Sequence, residues 1–401
     1  MTPAPIYFDH LSSTEILPQI LTSMGCFFSP AFSSPWSPHT GGNAAREALE
    51  EARKQFCALV GADDSYEVIF TGNGSEANNL VIKGRAFSSS KKDACLVYTA
   101  TDHPSIIQSM RFLESLGFRT RKLPVDPQGF VDPVELRRMI CADTVLVVTH
   151  LVNHDLGTLQ PVDELVQMAH SAHVPVLIDA TYGGGWRDLN LAGCPADFVT
   201  LSPHRFHGPK GVGVLVKKRH IPLTPLIHGG NQEHELRAGH ENIPAIHGAG
   251  LAAGFIRDHP EKFIRNPREL QKLFLEQIAP IPGIKLNGPP IGDDLRAGNS
   301  LSLSVAGVDA EELILVCDRF GLQIAGGSAC VSRTEKIPHT LQEIGLSEDS
   351  ARGTVLMSFG ITNTPAQIAP AAAVFAKAVE RVRSLSPRWR ISGEVKLHNP
   401  P

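Results

Sequence analysis

The apolar residues of this chain form short uninterrupted runs that alternate with longer amphipathic segments. Runs such as Val145-Leu146-Val147-Val148 and Val176-Leu177-Ile178 contain no polar position. Strands covered by helices on both faces have this pattern, because neither face meets water. The runs predict strands at Val68–Thr71, Leu96–Ala100, Thr144–His150, Val174–Asp179, Phe198–Leu201 and Gly213–Val216. The segments between them predict helices at Ser75–Ala86, Ser105–Leu116, Pro133–Ile140 and Val162–Ala172.

This alternation predicts an α/β protein whose sheet is mostly parallel, with helices on both faces. Ligands of such sheets bind beyond the carboxyl ends of the strands. Functional residues are therefore expected in the segments that follow the predicted strands.

The pattern changes near residue 255, where Asp258-His259-Pro260 interrupts it. The chain beyond predicts a smaller α+β domain, so we expect a large α/β domain at 15–255 and a small domain formed by 1–14 and 256–401. Residues 287–299 are polar and rich in Gly and Pro, which predicts a surface loop. The elements predicted here are a helix ending near Ile278, strands at Gly283–Leu286 and Ser300–Val305, a helix from the N-cap Asp309 to Arg319, and one opened by Thr364 and Pro365.

Composition excludes some classes of function. The chain has 401 residues, and 37 Lys and Arg nearly balance 41 Asp and Glu, for a formal charge of −4. Such a balance provides no basic surface for nucleic acid or for an anionic membrane. No apolar run is long enough to span a bilayer, and the first residues do not resemble a signal peptide. The seven dispersed cysteines are typical of reduced thiols, so we expect a cytoplasmic protein.

A glycine-rich turn lies between a predicted strand and a predicted helix at residues 70–79. Backbone N–H groups at such a helix start bind phosphate, and glycine lets the anion approach closely. Many junctions of this kind bind nothing, so the turn alone leaves both interpretations open. Asp179 ends a buried strand, where its carboxylate could point into a cleft or could serve as an N-cap or turn residue.

Two stretches indicate more specific chemistry: Leu201-Ser202-Pro203-His204-Arg205-Phe206-His207-Gly208-Pro209-Lys210-Gly211 and Gly327-Ser328-Ala329-Cys330. They resemble the cofactor loop and the nucleophile loop of the cysteine desulfurases, which are class V aminotransferase-like enzymes of pyridoxal-phosphate fold type I. Similar stretches run nearly from end to end, from Tyr7-Phe8-Asp9 to Leu385-Ser386-Pro387-Arg388-Trp389. The resemblance implies that fold, pyridoxal phosphate as the cofactor, and a dimer. It also implies a link to sulfur transfer, as in iron–sulfur cluster assembly or thiolation.

The resemblance also assigns roles to individual residues. Cys330 would be the nucleophile that accepts sulfur as a persulfide, although a free cysteine is more commonly a buried structural thiol. His103 would stack over the cofactor ring and is a candidate acid–base group. The other residues placed around the cofactor are Gly74 and Ser75 at its phosphate, Asn153 at its ring hydroxyl, Asp179 at its pyridine nitrogen, and Ser202, His204 and Arg205 in the cofactor loop.

Several positions depart from the family's pattern. Arg205 replaces the lysine that forms the Schiff base, and a guanidinium stays protonated and delocalised at physiological pH. Leu356 replaces the arginine that clamps the substrate carboxylate, and leucine cannot supply that charged fork. Tyr182 stands for a glutamine that touches the ring oxygen, and His240 for a threonine that reaches the other subunit's phosphate. His154 and Asp155 also stand for the usual asparagine and glutamate.

The loop around Arg205 leaves few alternatives for covalent chemistry. Lys210 has its own counterpart in the family, so we expect it to keep that structural place. The guanidinium of Arg205 suits phosphate, so pyridoxal phosphate bound without a covalent link is one outcome, and no cofactor at all is another. His204 and His207 are three residues apart on a loop, with no Cys or carboxylate nearby in sequence. This spacing is weak support for a metal site, so none is predicted.

Three functions remain open. The first is a desulfurase-like protein that cannot run pyridoxal-phosphate desulfuration alone and acts as a partner, a scaffold or a persulfide acceptor through Cys330. It would form a homodimer, or a heterodimer with an active desulfurase, and would bind a sulfur acceptor or scaffold protein. The second is an active desulfurase, or a related lyase or transferase, with altered pyridoxal-phosphate chemistry. The third is a binding module that uses the old cleft for an anion or a nucleotide.

Overall fold

The protein is described by a computed structural model, which covers residues 5–183, 189–292, 294–327, 337–387 and 389. The strands of this part are β1 (Ile6–Tyr7), β2 (Tyr66–Thr71), β3 (Cys95–Thr99), β4 (Arg119–Leu123), β5 (Thr144–His150), β6 (Val176–Asp179), β7 (Phe198–Leu201), β8 (Gly213–Lys218), β9 (Ile284–Leu286), β10 (Ser300–Val305), β11 (Leu322–Gln323), β12 (Ala325–Gly326) and β13 (Thr354–Ser358). The α-helices are α1 (Pro18–Met24), α2 (Thr40–Leu59), α3 (Gly74–Phe87), α4 (Pro104–Ser115), α5 (Pro133–Met139), α6 (Val162–Ser171), α7 (Ile243–Asp258), α8 (Pro260–Ile278), α9 (Ala310–Arg319), α10 (His339–Glu343), α11 (Glu348–Arg352) and α12 (Ile368–Leu385).

A seven-stranded sheet in the order β2-β8-β7-β6-β5-β3-β4 forms the centre of the described fold. Its pairs are parallel from β7 to β4, and β8 alone runs antiparallel to its neighbours β2 and β7. Val147 packs into the core on one face, whereas Leu146 and Val148 pack into the core on the other. This two-sided burial explains the unbroken apolar runs and confirms the predicted α/β fold with a mostly parallel sheet.

The edge strand β4 was not predicted from the pattern. Its sequence, Arg-Thr-Arg-Lys-Leu, lacks an apolar run, because one side of the strand has no neighbour among the described strands and most of its side chains reach solvent. Charged residues on an edge strand also discourage pairing with other molecules.

A second sheet has the order β12-β13-β10-β9 and packs its apolar side chains against α8, α9 and α12. The predicted N-cap Asp309 accepts from the backbone N–H of Glu311, and Thr364 forms a capping box with Gln367 ahead of α12. Both helix starts are therefore confirmed. The domain bounds 15–255, and 1–14 with 256–401, remain a prediction. Among the described residues, no helix is both long and apolar enough to cross a membrane.

The predicted surface loop at 287–299 is wrong for its second half. Arg296 is 1% exposed, and its guanidinium donates to the carbonyls of Asn287, at 2.9 Å, and Pro289. The backbone of Leu295 accepts from Leu159, which ties the loop to the large sheet's side of the molecule. Polar composition alone could not show this, because the buried cation is stabilised by carbonyls that the fold brings to it.

Candidate functional site in the cleft at the strand ends

The predicted site residues that the structure describes gather at one edge of the central sheet. Gly74, His103, Asn153 and Asp179 lie at or just beyond the carboxyl ends of β2, β3, β5 and β6, and Ser202, His204 and Arg205 follow β7. The topology therefore brings together residues that are far apart in sequence, as expected for a mostly parallel sheet. Cys330 lies outside the described residues, although Gly327, three positions before it in the sequence, is described.

The glycine-rich turn leads into α3 with a defined helix start. Asn73 is the N-cap, and its side chain accepts from the N–H of Glu76 at 2.9 Å. A Cβ atom on Gly74 would lie 2.6 Å from Cγ2 of Thr181 and would also collide with Oγ of Ser202. Only glycine therefore allows this helix start to approach Ser202, which places backbone N–H groups and a hydroxyl in a cradle suited to phosphate. Ser75 is exposed in the first turn of the helix.

Asp179 is held rigidly at the end of β6. Its side chain is buried and accepts from Nδ2 of Asn78 at 2.8 Å and from the backbone N–H of Thr181 at 2.9 Å. The hydroxyl of Thr200 donates to Oδ1 of Asn78 at 2.7 Å and so orients that amide. Asn78 and Thr200 were not predicted, and the one available signal was an asparagine on the buried face of α3 just after the glycine turn.

Three aromatic rings form one wall of a cavity in the cleft. The ring centroid of His103 lies 5.3 Å from that of His154 and 5.8 Å from that of Tyr182, and the last two are 5.4 Å apart. The guanidinium carbon of Arg205 lies 3.5 Å from the centre of the Tyr182 ring, a cation–π stack. Arg205 also donates to the carbonyl of Leu11 and keeps a buried Nε without a hydrogen-bond partner among the described residues.

The histidines of the site are neutral near pH 7. Burial and, to a smaller extent, the neighbouring His154 lower the pKa of His103 to about 3. Burial likewise lowers the pKa of His154 and, together with Arg205 and Lys210, brings the pKa of His204 to about 4. Arg205 is the one lysine or arginine among the described residues that line the cavity.

The lining of the cavity also includes Leu356. This residue lies in β13 beside Ala325 of β12, and its side chain is buried. Asp9, Ser12 and Ser358 add carboxylate and hydroxyl groups to the lining. An apolar side chain thus occupies the wall where the family resemblance implies a carboxylate clamp.

Asn153 is buried, and its amide bonds both within its own turn and to the segment that follows β3. Its Oδ1 accepts from the backbone of Asp155 and Leu156, and its Nδ2 donates to the carbonyl of Thr101 at 3.0 Å. The role of Asn153 at a cofactor hydroxyl therefore remains a prediction.

The two histidines that flank Arg205 have different surroundings. Nδ1 of His207 is 3.0 Å from the carbonyl oxygen of Glu15, and the ring is buried, whereas His204 is only half-buried. Within the described ranges, no group of three or more His, Cys, Asp or Glu side chains is arranged to hold a metal ion.

The buried histidines give the folded protein a pH dependence. The folded-state pKa of His103, about 3, lies below its ordinary value of 6.5, so the neutral ring stabilises the fold fully above pH 6.5. This contribution is lost as the pH falls from 6.5 towards 3, and at about pH 5 His103 alone should cost about 1–2 kcal/mol. Urea unfolding at about pH 7 and pH 5 measures the loss.

A matched pair of capping histidines provides the control. His103 caps α4, and the exposed His39 caps α2, each through a ring nitrogen that accepts a backbone N–H. Asparagine caps helices well, so His103→Asn should reduce the loss of stability between the two pH values, and His39→Asn should not. Equal losses in wild type and His103→Asn would contradict the assignment.

Fold and site together define the class of protein. A mostly parallel sheet with a glycine-cradled helix start, a buried strand-end aspartate and a loop after β7 is the architecture of pyridoxal-phosphate fold type I. The family model of the class V aminotransferases matches residues 6–370, so the chain belongs to that family.

Curated relatives and a solved structure agree with this assignment. The chain is 34% identical over 391 residues to a cysteine desulfurase IscS of Dictyoglomus turgidum, which covers 96% of this chain and 98% of that protein. It is 33% identical over 385 residues to a cysteine desulfurase IscS of Clostridium botulinum, covering 96% of each. A solved NifS-like protein superposes with a TM-score of 0.86 at 27% identity, covering 95% of this chain and 100% of that one.

Proposed function

We propose that this chain is a cysteine desulfurase-like protein of sulfur transfer or iron–sulfur cluster assembly that does not complete pyridoxal-phosphate desulfuration alone. It acts as a partner, a scaffold or a persulfide acceptor through Cys330. The similarity to cysteine desulfurases along 96% of the chain supports the link to sulfur chemistry. The residues around the cavity support the loss of self-sufficient catalysis.

The observation that carries the proposal is the environment of Arg205. Its guanidinium stacks on Tyr182 and donates to the Leu11 carbonyl, so it forms part of the cavity wall. Attack on an aldehyde requires a neutral amine, and a guanidinium does not provide one at physiological pH. Leu356, which also lines the cavity, cannot bind a substrate carboxylate by a charged fork.

The described residues fit part of pyridoxal phosphate. The cradle that a Cβ on Gly74 would fill suits the phosphate, with Ser75, Ser202 and His204 nearby, and Asp179 suits a protonated ring nitrogen. His103 would cover the ring, and Asn153 remains a candidate for its hydroxyl. When bound, the cofactor supplies an electron sink for carbanion chemistry. Binding without a covalent link is what these residues favour.

The proposed partners follow from the same site. A chain with a cysteine loop but no amine at position 205 would need persulfide sulfur from an active desulfurase, either in a heterodimer or by transfer between molecules. A homodimer that docks a sulfur acceptor or scaffold protein is the other arrangement. We place the protein in the cytoplasm, without nucleic acid or membrane as a partner.

A second candidate is an active desulfurase, or a related lyase or transferase, with altered cofactor chemistry. It is favoured by the intact phosphate cradle and by His103, whose neutral ring lies on the cavity wall. One well-placed base can support acid–base catalysis. This enzyme would still have to hold its substrate without an arginine at position 356.

Purified protein distinguishes the two candidates. We expect that added pyridoxal phosphate is not fixed to any side chain by borohydride, and that the chain alone releases neither sulfide nor alanine from cysteine. With an active desulfurase and cysteine present, Cys330 should gain a persulfide that mass spectrometry detects. Cys330→Ser should abolish this signal, and Cys26→Ser, which removes an exposed thiol elsewhere, should not.

Covalent fixation of the cofactor on the wild-type chain, or turnover of cysteine that Cys330→Ala abolishes, would favour the second candidate. A persulfide-free Cys330 in the presence of the active desulfurase would reject the acceptor role.

A further inference from the structure

A pair of cysteines lies at the edge of the central sheet opposite to the cleft. Cys95 is the first residue of β3, and Cys141 precedes β5, so both are near the amino ends of strands whose carboxyl ends carry His103 and Asn153. Cys95 is fully buried, whereas Cys141 is half-buried. The site is therefore separate from the cavity and reachable from solvent through one of its two thiols.

Both cysteines adjoin Thr144. Cys95 is the register partner of Thr144 across the β3–β5 pair, and its N–H donates to the Asp143 carbonyl at 3.0 Å. The Thr144 hydroxyl donates to Sγ of Cys141 at 3.5 Å and accepts from its N–H at 2.9 Å. The sheet register thus places Cys95 opposite the residue whose hydroxyl contacts Cys141, so the two cysteines are neighbours at this edge of the sheet.

The surroundings distinguish the two thiols chemically. The Thr144 hydroxyl, the backbone of Asp143 and the guanidinium groups of Arg121 and Arg119 lower the pKa of Cys141, although partial burial opposes this. Burial and the neighbouring Cys141 raise the pKa of Cys95. A more acidic, accessible thiol beside a less acidic, buried one is the arrangement of an attacking and a resolving cysteine.

We propose that Cys141 and Cys95 form a thiol–disulfide exchange site, with Cys141 as the nucleophile towards a low-molecular-weight disulfide and Cys95 as the resolving thiol. This inference concerns a different site from the cleft and does not depend on the proposed function.

The exchange proceeds in two balanced steps. The Cys141 thiolate attacks one sulfur of the small disulfide, whose sulfur–sulfur bond breaks and releases one small thiolate. A mixed disulfide then remains on Cys141. Cys95 loses its proton and attacks Sγ of Cys141, which expels the second small thiol. Two protein thiols are thereby oxidised to one disulfide, and one small disulfide is reduced to two thiols.

Oxidised glutathione is a suitable probe, and the sequence makes the product easy to identify. Tryptic cleavage gives peptides 93–111 and 139–187, each of which contains one cysteine. We expect reduced full-length protein treated with oxidised glutathione, alkylated and digested without reductant, to yield these two peptides joined by a disulfide. In Cys95→Ser, glutathione should remain attached to Cys141. In Cys141→Ser, the buried Cys95 should stay unmodified.

Cys57 provides a matched control, because it is also half-buried and lies near two guanidinium groups, but burial raises its pKa and no other cysteine contributes to that shift. Cys57→Ser should leave the cross-link unchanged, and Cys57 itself should react more slowly than Cys141. A wild-type protein that accumulates glutathione on Cys141 without the cross-link would overturn the proposal, as would faster modification of Cys57.

Thr144 is the positioning residue of the pair, and its variants test the geometry. Thr144→Val removes the hydroxyl at nearly constant volume and should slow alkylation of Cys141 at about pH 7 by about tenfold. It should also raise the pH midpoint of that reaction, whereas Thr144→Ser should retain the wild-type midpoint. Identical pH profiles for Thr144→Val and Thr144→Ser would refute the role of the hydroxyl.

Discussion

Replacing Arg205 by lysine is expected to convert the protein from one that cannot fix pyridoxal phosphate into one that binds it covalently at position 205. The new side chain carries the primary amine that an aldehyde requires. Partial burial beside neutral histidines disfavours the charged form of a lysine, so a reactive fraction of free amine should be present near neutral pH. Absorbance, followed by borohydride reduction and peptide mass spectrometry, measures the label.

Two further variants locate the effect. Arg205→Met has a side chain of comparable length without charge or amine and should remain unlabelled, which separates the amine from the loss of the Tyr182 stack. Adding Lys210→Ala to Arg205→Lys should leave the label in place, because the exposed Lys210 is not the attacking group. Labelling of Arg205→Met, or of Lys210 in the wild type, would contradict the account of the site.

The second missing group can be restored in the same background. Adding Leu356→Arg to Arg205→Lys returns a guanidinium to the lining of the cavity that also contains position 205. A charge-assisted hydrogen bond contributes about 1.5–3 kcal/mol, so apparent affinity for cysteine should rise by at least about tenfold over Arg205→Lys alone. The KM for cysteine desulfuration is the relevant measurement.

Glu233→Gln is expected to lower the free energy of unfolding by about 3 kcal/mol, because it removes the buried counter-charge of the half-buried Arg53 and leaves only the exposed Glu50 beside the guanidinium. Glu233 is 3% exposed, and each of its carboxylate oxygens accepts a hydrogen bond from the Arg53 guanidinium, at 2.8 and 3.0 Å. It also accepts from the N–H of Phe70 at 2.7 Å. The pair therefore anchors the end of β2, from which the phosphate cradle begins.

Glu235→Gln is the matched control for this substitution. Glu233 and Glu235 both have left-handed backbone angles, with φ of 49° and 67°, but Glu235 is exposed. Its neutralisation should change the stability by less than about 0.5 kcal/mol. Chemical denaturation of both variants measures the difference, and similar losses in the two would mean that the backbone conformation, not the ion pair, decides the stability.

The sequence was most informative about strands that are buried on both sides. β5 was predicted with its exact observed bounds, Thr144–His150, because both of its faces pack in the core and every residue of it is buried. The edge strand β4 and the buried Arg296 were missed because their residues are polar. In both cases the neighbouring segments, and not the local composition, determine the structure.

The candidate site was only partly visible from the motifs. The glycine turn and the loop after β7 correctly indicated the edge of the sheet that carries the site, where the structure places Gly74 beside Ser202. Asn78 reaches Asp179 across 101 positions of the chain, and no local pattern indicates that hydrogen bond. The same holds for the stack of Arg205 on Tyr182, which becomes evident only when β6 and β7 are neighbours.

Residue identity sets the chemistry that each position can offer. The chain contains apolar runs suited to a covered sheet, an arginine at position 205 that cannot act as a free amine, and a leucine at position 356 that cannot bind a carboxylate. The packing of distant segments determines which of these groups meet and in what environment. Burial makes the histidines of the cleft neutral, and the register between β3 and β5 brings Cys95 to Cys141. Those effects depend on strand order and desolvation, which act between residues distant in sequence and leave no local pattern to read.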